Sequence, residues 1–374
     1  MSDEPIRVLY DEQIFLLQEF GGISRYFTEL IKYYEANPEL GISPVLASGH
    51  VINKYLQNET KSLGVKGIQS KLVAVIYLFL RMALKRQSKN KVDIVHHTFY
   101  LPGFFGRFKG ALKAVTLFDM IPENTDSRGR FWNPHFAKKG NIFNADLVLS
   151  ISESSTQDML KEYDFERRVV TTYLGVGSEY SPNLSRFDWQ PEQYLLFVGN
   201  RGGYKDFDLA IRAFATIAKN NTGIKLQLVG GGNIKGFEMR LAAQLGVGEA
   251  LIHRSVKPEE LPNVYSNAIA LVYPSRYEGF GLPLVEAMAS GIPILASDTP
   301  INNEIASGCA SYFPAGSEIA LGNLMSQAII DPESFQDKIE EGKKRALHFT
   351  WHRCAEKTAA EYRKLVNERG ERVR

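Results

Sequence analysis

Two carboxylates, Glu278 and Glu286, bracket a glycine-containing loop in the stretch Tyr273-Pro-Ser-Arg-Tyr-Glu-Gly-Phe-Gly-Leu-Pro-Leu-Val-Glu-Ala-Met-Ala-Ser-Gly291. An ionised carboxylate only accepts hydrogen bonds, so a pair flanking one pocket suits a ligand rich in hydroxyls. The plain alternative is a loop Glu in solvent and a Glu on the outer face of an amphipathic helix, and spacing alone does not choose between them. A second group is cationic. Arg201 and Lys205 lie in Val198-Gly-Asn-Arg-Gly-Gly-Tyr-Lys-Asp-Phe-Asp208, a glycine-containing loop where a strand feeds a helix. Two cations there can meet a diphosphate, with a solvated basic loop as the alternative.

The elements that position these groups can be read from the same stretches. The apolar run Ala268 to Tyr273 predicts a buried strand, Pro283 suits the first helical position, and Gly291 suits the residue just past the helix end. Such a strand, loop and short helix aims unpaired N–H groups at whatever sits above the loop. Phe207, Ala210, Ile211 and Phe214 share a helical face behind the Arg201–Lys205 loop. Short apolar runs recur at Ile6–Tyr10, Pro44–Ala47, Val92–His96, Lys113–Phe118, Asp146–Ile151 and Val169–Tyr173, and again at Tyr194–Val198, Lys225–Val229, Ala250–Ile252, Ala270–Tyr273 and Ile292–Ala296. Helical or irregular segments separate them, which predicts α/β architecture with parallel sheets and ligands at the carboxyl ends of the strands.

At 374 residues the chain exceeds the size at which one core keeps growing. The expected organisation is a first domain over 1–182, a proline-bounded linker over 183–191, a second domain over 192–349 and a terminal helix over 350–374. A net charge of +2 gives no reason to expect nucleic acid, and Cys309 and Cys354 lack metal-ligand spacing, which fits a reducing compartment. His96-His97 has no flanking ligand pattern for a metal either. The N-terminus shows no signal peptide. Leu72 to Leu84 is apolar and runs into the basic stretch to Lys91. It is too short to span a bilayer and reads as a buried helix with a solvated end, or as a helix resting on an anionic leaflet. There is no GxGxxG with a following acid and no P-loop. Asp206-Phe-Asp208 spells Asp-x-Asp, but at a helix start beside Lys205 it reads as charge favouring the helix dipole. No metal and no cofactor are expected.

The Glu278-x7-Glu286 spacing followed by Ala-Met-Ala-Ser-Gly-Ile-Pro-Ile resembles the signature of retaining glycosyltransferase family 4. The resemblance covers nearly the whole chain, specific in the second half and looser in the first. It implies the GT-B fold, two Rossmann-like domains with parallel sheets facing across a cleft, and transfer of a hexose from a nucleoside-diphosphate sugar to a glycan or lipid-linked acceptor. By that resemblance Arg201 and Lys205 hold the donor diphosphate, Glu278 binds the sugar, and Glu286 binds the ribose diol. Gly199, Gly230, Phe280, Gly281 and Leu282 line the donor site, Arg254, Ser255 and Val256 pack on the base, and the loop at Gly21 and Gly22 closes over the donor. Gly21-Gly22 by itself also reads as a tight turn. Asp119 matches the acid of the family's His-Asp-x-x-Pro stretch, where Phe118 stands in the His position; it is a candidate for hydroxyl binding or a loop cap. Trp132, Pro134, His135 and Phe136 are candidates for the acceptor side, and Trp351 for an anchor of the final helix. The cues Gly21-Gly-Ile-Ser-Arg-Tyr26, Asp119-Met-Ile-Pro122 and Arg201-Gly-Gly-Tyr-Lys205 are most similar to mannosyltransferase-like members of bacterial surface-polysaccharide assembly. They imply a GDP-mannose donor, with UDP- or dTDP-sugars as alternatives, and a cytoplasmic enzyme with peripheral membrane contact. A GT-B epimerase or hydrolase, or a nucleotide-sugar-binding subunit without turnover, are the competing readings.

Overall fold

A computed structural model of the chain describes residues 4–47, 50–59, 66–68, 72–76, 78, 92–101, 110–124, 137–180, 193–219, 221 and 223–372. The strands in chain order are β1 (Ile6–Tyr10), β2 (Ile42–Leu46), β3 (His50–Val51), β4 (Lys66–Gly67), β5 (Ile94–His97), β6 (Leu112–Leu117), β7 (Leu147–Ser150), β8 (Val169–Thr171), β9 (Tyr194–Val198), β10 (Lys225–Val229), β11 (Leu251–Arg254), β12 (Ala270–Tyr273), β13 (Ile294–Asp298) and β14 (Ser311–Pro314). Two compact units result, Met1–Leu174 with Trp351–Arg374, and Gly175–Thr350.

The first unit is built on a parallel sheet of order β2-β1-β5-β6-β7-β8. β5 and β7 are buried along their whole length and β6 over its last four residues, as expected where both faces of such a sheet are covered. Tyr26, Phe27, His96 and Phe118 pack edge to face, with ring centroids 4.8 to 5.9 Å apart. The final helix, Trp351–Arg372, belongs to this unit. Tyr362 reaches His96 Nδ1 at 2.5 Å, Tyr34 donates to the Ala355 carbonyl at 2.9 Å, and Arg168 grips Glu361 through two bonds of 2.9 Å. Trp351 is buried, with the Arg25 guanidinium 5.9 Å from its ring centroid.

The second unit is built on another six-stranded parallel sheet, of order β11-β10-β9-β12-β13-β14. Leu195, Phe197, Phe207, Ile211, Phe214, Leu226 and Leu228 form the centre of its core. The helix Phe207–Ala218 supplies the apolar face that its sequence spacing predicts. The chain passes from unit to unit at 174/175 and 350/351, earlier than position 182 at the first crossing. Residues 175–180 stay with the second unit because Val176 pairs with Thr350 and Tyr180 bonds Glu286. The linker expected at 183–191 and the candidates Trp132, Pro134, His135 and Phe136 lie outside the described residues.

No helix among the described residues is long and apolar enough to cross a membrane. Of the Leu72–Lys91 segment, residues 72–76 and 78 are described. Ala74 and Leu78 pack on Leu16 and Ile52, while Leu72, Val73 and Ile76 are 70, 52 and 50% exposed.

Candidate active site

In the second sheet the chain steps from β9 outward to β10 and β11, then returns to β12 on the other side of β9. The loops after β9 and β12 therefore diverge from a topological switch point, the place where open α/β sheets bind ligands. Lys205 comes from the first loop and Glu278 from the second. Lys205 Nζ lies 2.5 Å from Glu278 Oε1, and the two side chains are 12% and 9% exposed. Two further contacts tie the loops. The Arg276 N–H donates to the Tyr204 carbonyl at 2.8 Å, and the Arg276 guanidinium bonds Asp206 at 2.6 Å. Asp206 thus spends its carboxylate on Arg276, in a left-handed backbone conformation of φ +50°.

Gly281 begins the helix Leu282–Ser290 at φ +98° and Gly291 ends it at φ +69°, conformations that glycine adopts without steric cost. No side chain caps the N-terminal tip. Leu282, rather than Pro283, is the first helical residue. Glu286 is buried one turn in and accepts from Tyr265 at 2.8 Å and Tyr180 at 3.1 Å. Burial, then the Glu286 charge, keeps the Tyr265 phenol well above its ordinary pKa, so it remains a donor. Phe280 is buried with its ring 5.7 Å from that of Phe349.

Arg201 is held differently from Lys205. Expected beside Lys205 on the diphosphate, it turns into the protein instead, with its side chain and that of Glu238 both 0% exposed. Its Nε bonds both Glu238 oxygens at 3.2 Å, Nη1 donates to the Gly230 carbonyl at 2.7 Å, and Nη2 donates to Gly232 and Asn233 at 2.8 Å. A glycine turn at φ +83°, +70° and +72° presents three successive residues' backbone to this one guanidinium, and a fork of fixed donors satisfies such a cluster. Arg201 therefore holds the Gly230 loop in shape, and Lys205 is left as the cation facing Glu278.

Gly199 and Gly230 sit at the carboxyl ends of β9 and β10, with φ +122° and +83°. Arg254 ends β11, where it aligns with Val229, and Ser255 and Val256 follow. They line a cavity of about 500 Å³ with Glu260, Asn263, Val264 and Asn267. These groups all occupy one edge of the second sheet.

Gly21, Gly22 and Asp119 belong to the first unit. Gly21 precedes the helix Gly22–Ala36 in an extended conformation of φ 172°. A Cβ there would fall 2.3 Å from Gln18 Oε1, the acceptor for the Ser24 N–H. Asp119 accepts from the Ile121 N–H at 3.0 Å and sits 3.7 Å from Lys138 Nζ, so its carboxylate caps the loop. Phe118 is buried in the aromatic core. This unit has its own switch point between β1 and β5, where Asp11 bonds His97 Nδ1 at 2.7 Å. Burial is the largest influence on the Asp11 carboxyl and would raise its pKa, but the His97 bond and charge together with the bonds from Thr98 and Gln13 outweigh it and hold the carboxyl below its ordinary value.

The tyrosines that orient Glu286, and Glu238 that captures Arg201, were missing from the sequence reading. Only Lys235-x-x-Glu238 left a trace, since Glu238 Oε2 accepts from the Lys235 N–H at 2.6 Å as a helix-start acid does.

Residues 186–345 match the family model Glycosyl transferases group 1. Over 370 residues the chain is 25% identical to the O-antigen chain mannosyltransferase B of Escherichia coli, covering 92% of this chain and 96% of that one. Its fold is similar to a sucrose-phosphate synthase of Thermosynechococcus elongatus, with TM-score 0.74, 19% identity, and 98% and 100% of the two chains covered. It is similar as well to HepE of Anabaena in complex with UDP and glucose, with TM-score 0.72, 14% identity, and 96% and 100% covered. The chain thus has two Rossmann-like domains of the GT-B type, and the second contains the segment that matches the group 1 glycosyltransferase model.

Proposed function

We propose that this glycosyltransferase moves a hexose, mannose in the first place, from a nucleoside-diphosphate sugar to a hydroxyl of a glycan or lipid-linked acceptor in surface-polysaccharide synthesis. In this reading the anomeric configuration is retained and no metal takes part. The observation that carries it is the Lys205–Glu278 pair at the β9/β12 switch point, beside an uncapped helix tip. The name of the E. coli relative supports mannose, hence GDP-mannose, and the UDP and glucose of the Anabaena structure make UDP-sugars the comparison to run.

In the reaction the bond from the anomeric carbon to the diphosphate oxygen breaks, and its electron pair leaves with the diphosphate. The acceptor oxygen bonds the same carbon on the same face, and the departing phosphate takes the acceptor's proton. Lys205 offsets the charge gathering on the diphosphate, aided by the N–H groups at Leu282. One preorganised donor of this kind is worth about 3–4 kcal/mol. Glu278 grips sugar hydroxyls and steadies positive charge on the ring carbon, and Glu286, oriented by Tyr180 and Tyr265, takes the ribose diol. The cavity at Arg254, Ser255 and Val256 is assigned to the base. The exposed Leu72, Val73 and Ile76 support peripheral contact with the inner face of a membrane.

Lys205→Ala tests the assignment. Assayed in EDTA with GDP-mannose, UDP-glucose and dTDP-glucose, the wild type turns over one donor. The variant stays folded but loses at least a hundredfold in rate, and wild-type turnover by a folded variant removes the basis of the reading. EDTA-abolished activity restored by Mn²⁺ removes the metal-free part.

A further inference from the structure

Tyr273 ends β12 immediately before the loop that carries Glu278, and its ring centroid lies 5.5 Å from Lys205 Nζ. The residue is 2% exposed, and its hydroxyl makes no well-formed hydrogen bond among the described residues, although the Glu278 and Ser275 side chains are within its reach. That hydroxyl faces the helix tip, since a Cβ on Gly281 would lie 3.4 Å from it. A buried hydroxyl without a partner is destabilising, and a phenylalanine would fill the same space without that penalty. Groups kept in this condition are explained by a state of the protein in which they find a partner.

We propose that Tyr273 is a positioning residue whose hydroxyl takes over from Lys205 as donor to Glu278 when a nucleoside diphosphate draws Lys205 away. The inference rests on the donor-site reading above. A diphosphate carries more negative charge than a carboxylate and competes for the ammonium group. Glu278, 9% exposed, would then lose its counter-charge in a site where water is scarce. The Tyr273 hydroxyl is the neutral donor at hand. Burial, then the Glu278 charge, holds the phenol well above its ordinary pKa, so it stays protonated across any practical assay range. Glu278 is thereby kept in place for the sugar while its cation is occupied. No covalent step is involved.

The test is Tyr273→Phe in the full chain, beside Lys205→Ala. Three quantities are measured: thermal stability without ligand, binding of GDP and UDP by calorimetry, and nucleoside-diphosphate release from GDP-mannose or UDP-glucose in water and with methyl α-mannoside. For Tyr273→Phe the ligand-free melting temperature is unchanged or higher, and nucleoside-diphosphate affinity stays within about twofold because Lys205 still holds the diphosphate. The release rate falls about tenfold to a hundredfold, the effect of removing one hydrogen bond to a charged group. A merely structural tyrosine gives the opposite pattern, a lower melting temperature with an unchanged rate in the folded fraction, and that result overturns the proposal. If Lys205→Ala loses nucleotide affinity while Tyr273→Phe releases at the wild-type rate, the inference alone fails. If Lys205→Ala binds as the wild type does, the donor-site reading fails and takes the inference with it.

Discussion

Replacing Arg201 by Met separates the two parts that residue can play. In the structure its loss strips Glu238 of its cation at 0% exposure and leaves the carbonyls of Gly230, Gly232 and Asn233 without their side-chain donor. Glu238 retains the Lys235 N–H at 2.6 Å, which softens but does not remove the penalty. Removing one member of a buried pair costs about 3–5 kcal/mol. A domain of this size shifts by roughly 2–4 °C per kcal/mol, so the second unit should melt about 6–20 °C earlier. Thermal unfolding followed by far-UV circular dichroism reads this directly. The double variant Arg201→Met with Glu238→Leu should recover half or more of the loss, because an apolar pair of similar volume replaces a buried ion pair at little cost. Calorimetry with GDP and UDP supplies the second axis. Should Arg201→Met melt like the wild type and yet lose nucleotide affinity, the inward role is wrong and the cation acts on the diphosphate after all.

A second prediction concerns pH. Burial, and then the neighbouring His97, pushes His96 down to about 3, so the folded protein holds it neutral. Its unfolded value is about 6.5, and a depressed folded pKa stabilises above the unfolded value and is lost as pH falls below it. Between pH 7 and pH 5 this group alone removes about 2 kcal/mol. His253 shifts the same way, so the readout is the difference in melting temperature against pH between wild type and His96→Gln. Asp11, also depressed, enters only below about 3.8 and leaves that window clean. An equal pH slope in the two proteins would contradict the buried neutral histidine. For the membrane contact, flotation with vesicles of anionic lipid should carry the wild type upward and leave Leu72→Asp with Ile76→Asp behind; no flotation of the wild type ends that idea.

Most of the scaffold was legible because central parallel strands are runs of apolar residues. Ile6–Tyr10, Tyr194–Val198, Lys225–Val229 and Ala270–Tyr273 read from sequence coincide with β1, β9, β10 and β12. β14 was missed, since Ser311-Tyr-Phe-Pro314 is short, begins polar and ends in proline, which an edge strand tolerates. The helix after Gly281 was legible from its flanking glycines and Pro283. The partners of Arg201 were not legible, for a physical reason. A glycine loop between strand and helix invites two cations to the same anion, but Glu238, 37 residues on, and a run of backbone carbonyls captured one of them. The partners of Glu286 were out of reach for the same cause, Tyr180 being 106 residues away in sequence. Local pattern reports which element a residue sits on, while its direction is decided by partners that only the fold assembles.

Both sheets are six-stranded and parallel, and each brings charged side chains together where its strand order reverses, so the presence of a switch point alone cannot say which one does chemistry. Asp11 has its oxygens committed to His97, Gln13 and Thr98 at 2.6 to 2.7 Å, and Asp11 and His97 are 0% and 1% exposed. Thr98 Oγ1 also accepts from the Ile14 N–H, so the network joins the ends of β1 and β5. A network so fully satisfied and so dry gains nothing from a ligand and serves to fix its loops. Lys205 and Glu278 differ on both counts. They keep 12% and 9% exposure, and the hydroxyls of Tyr273 and Ser275 are buried beside them without a well-formed hydrogen bond among the described residues. Polar capacity left unspent next to a solvent-reachable ion pair is what a charged, hydroxyl-bearing ligand can satisfy. Its cost to the empty fold is why Tyr273→Phe is expected to gain stability as it loses rate.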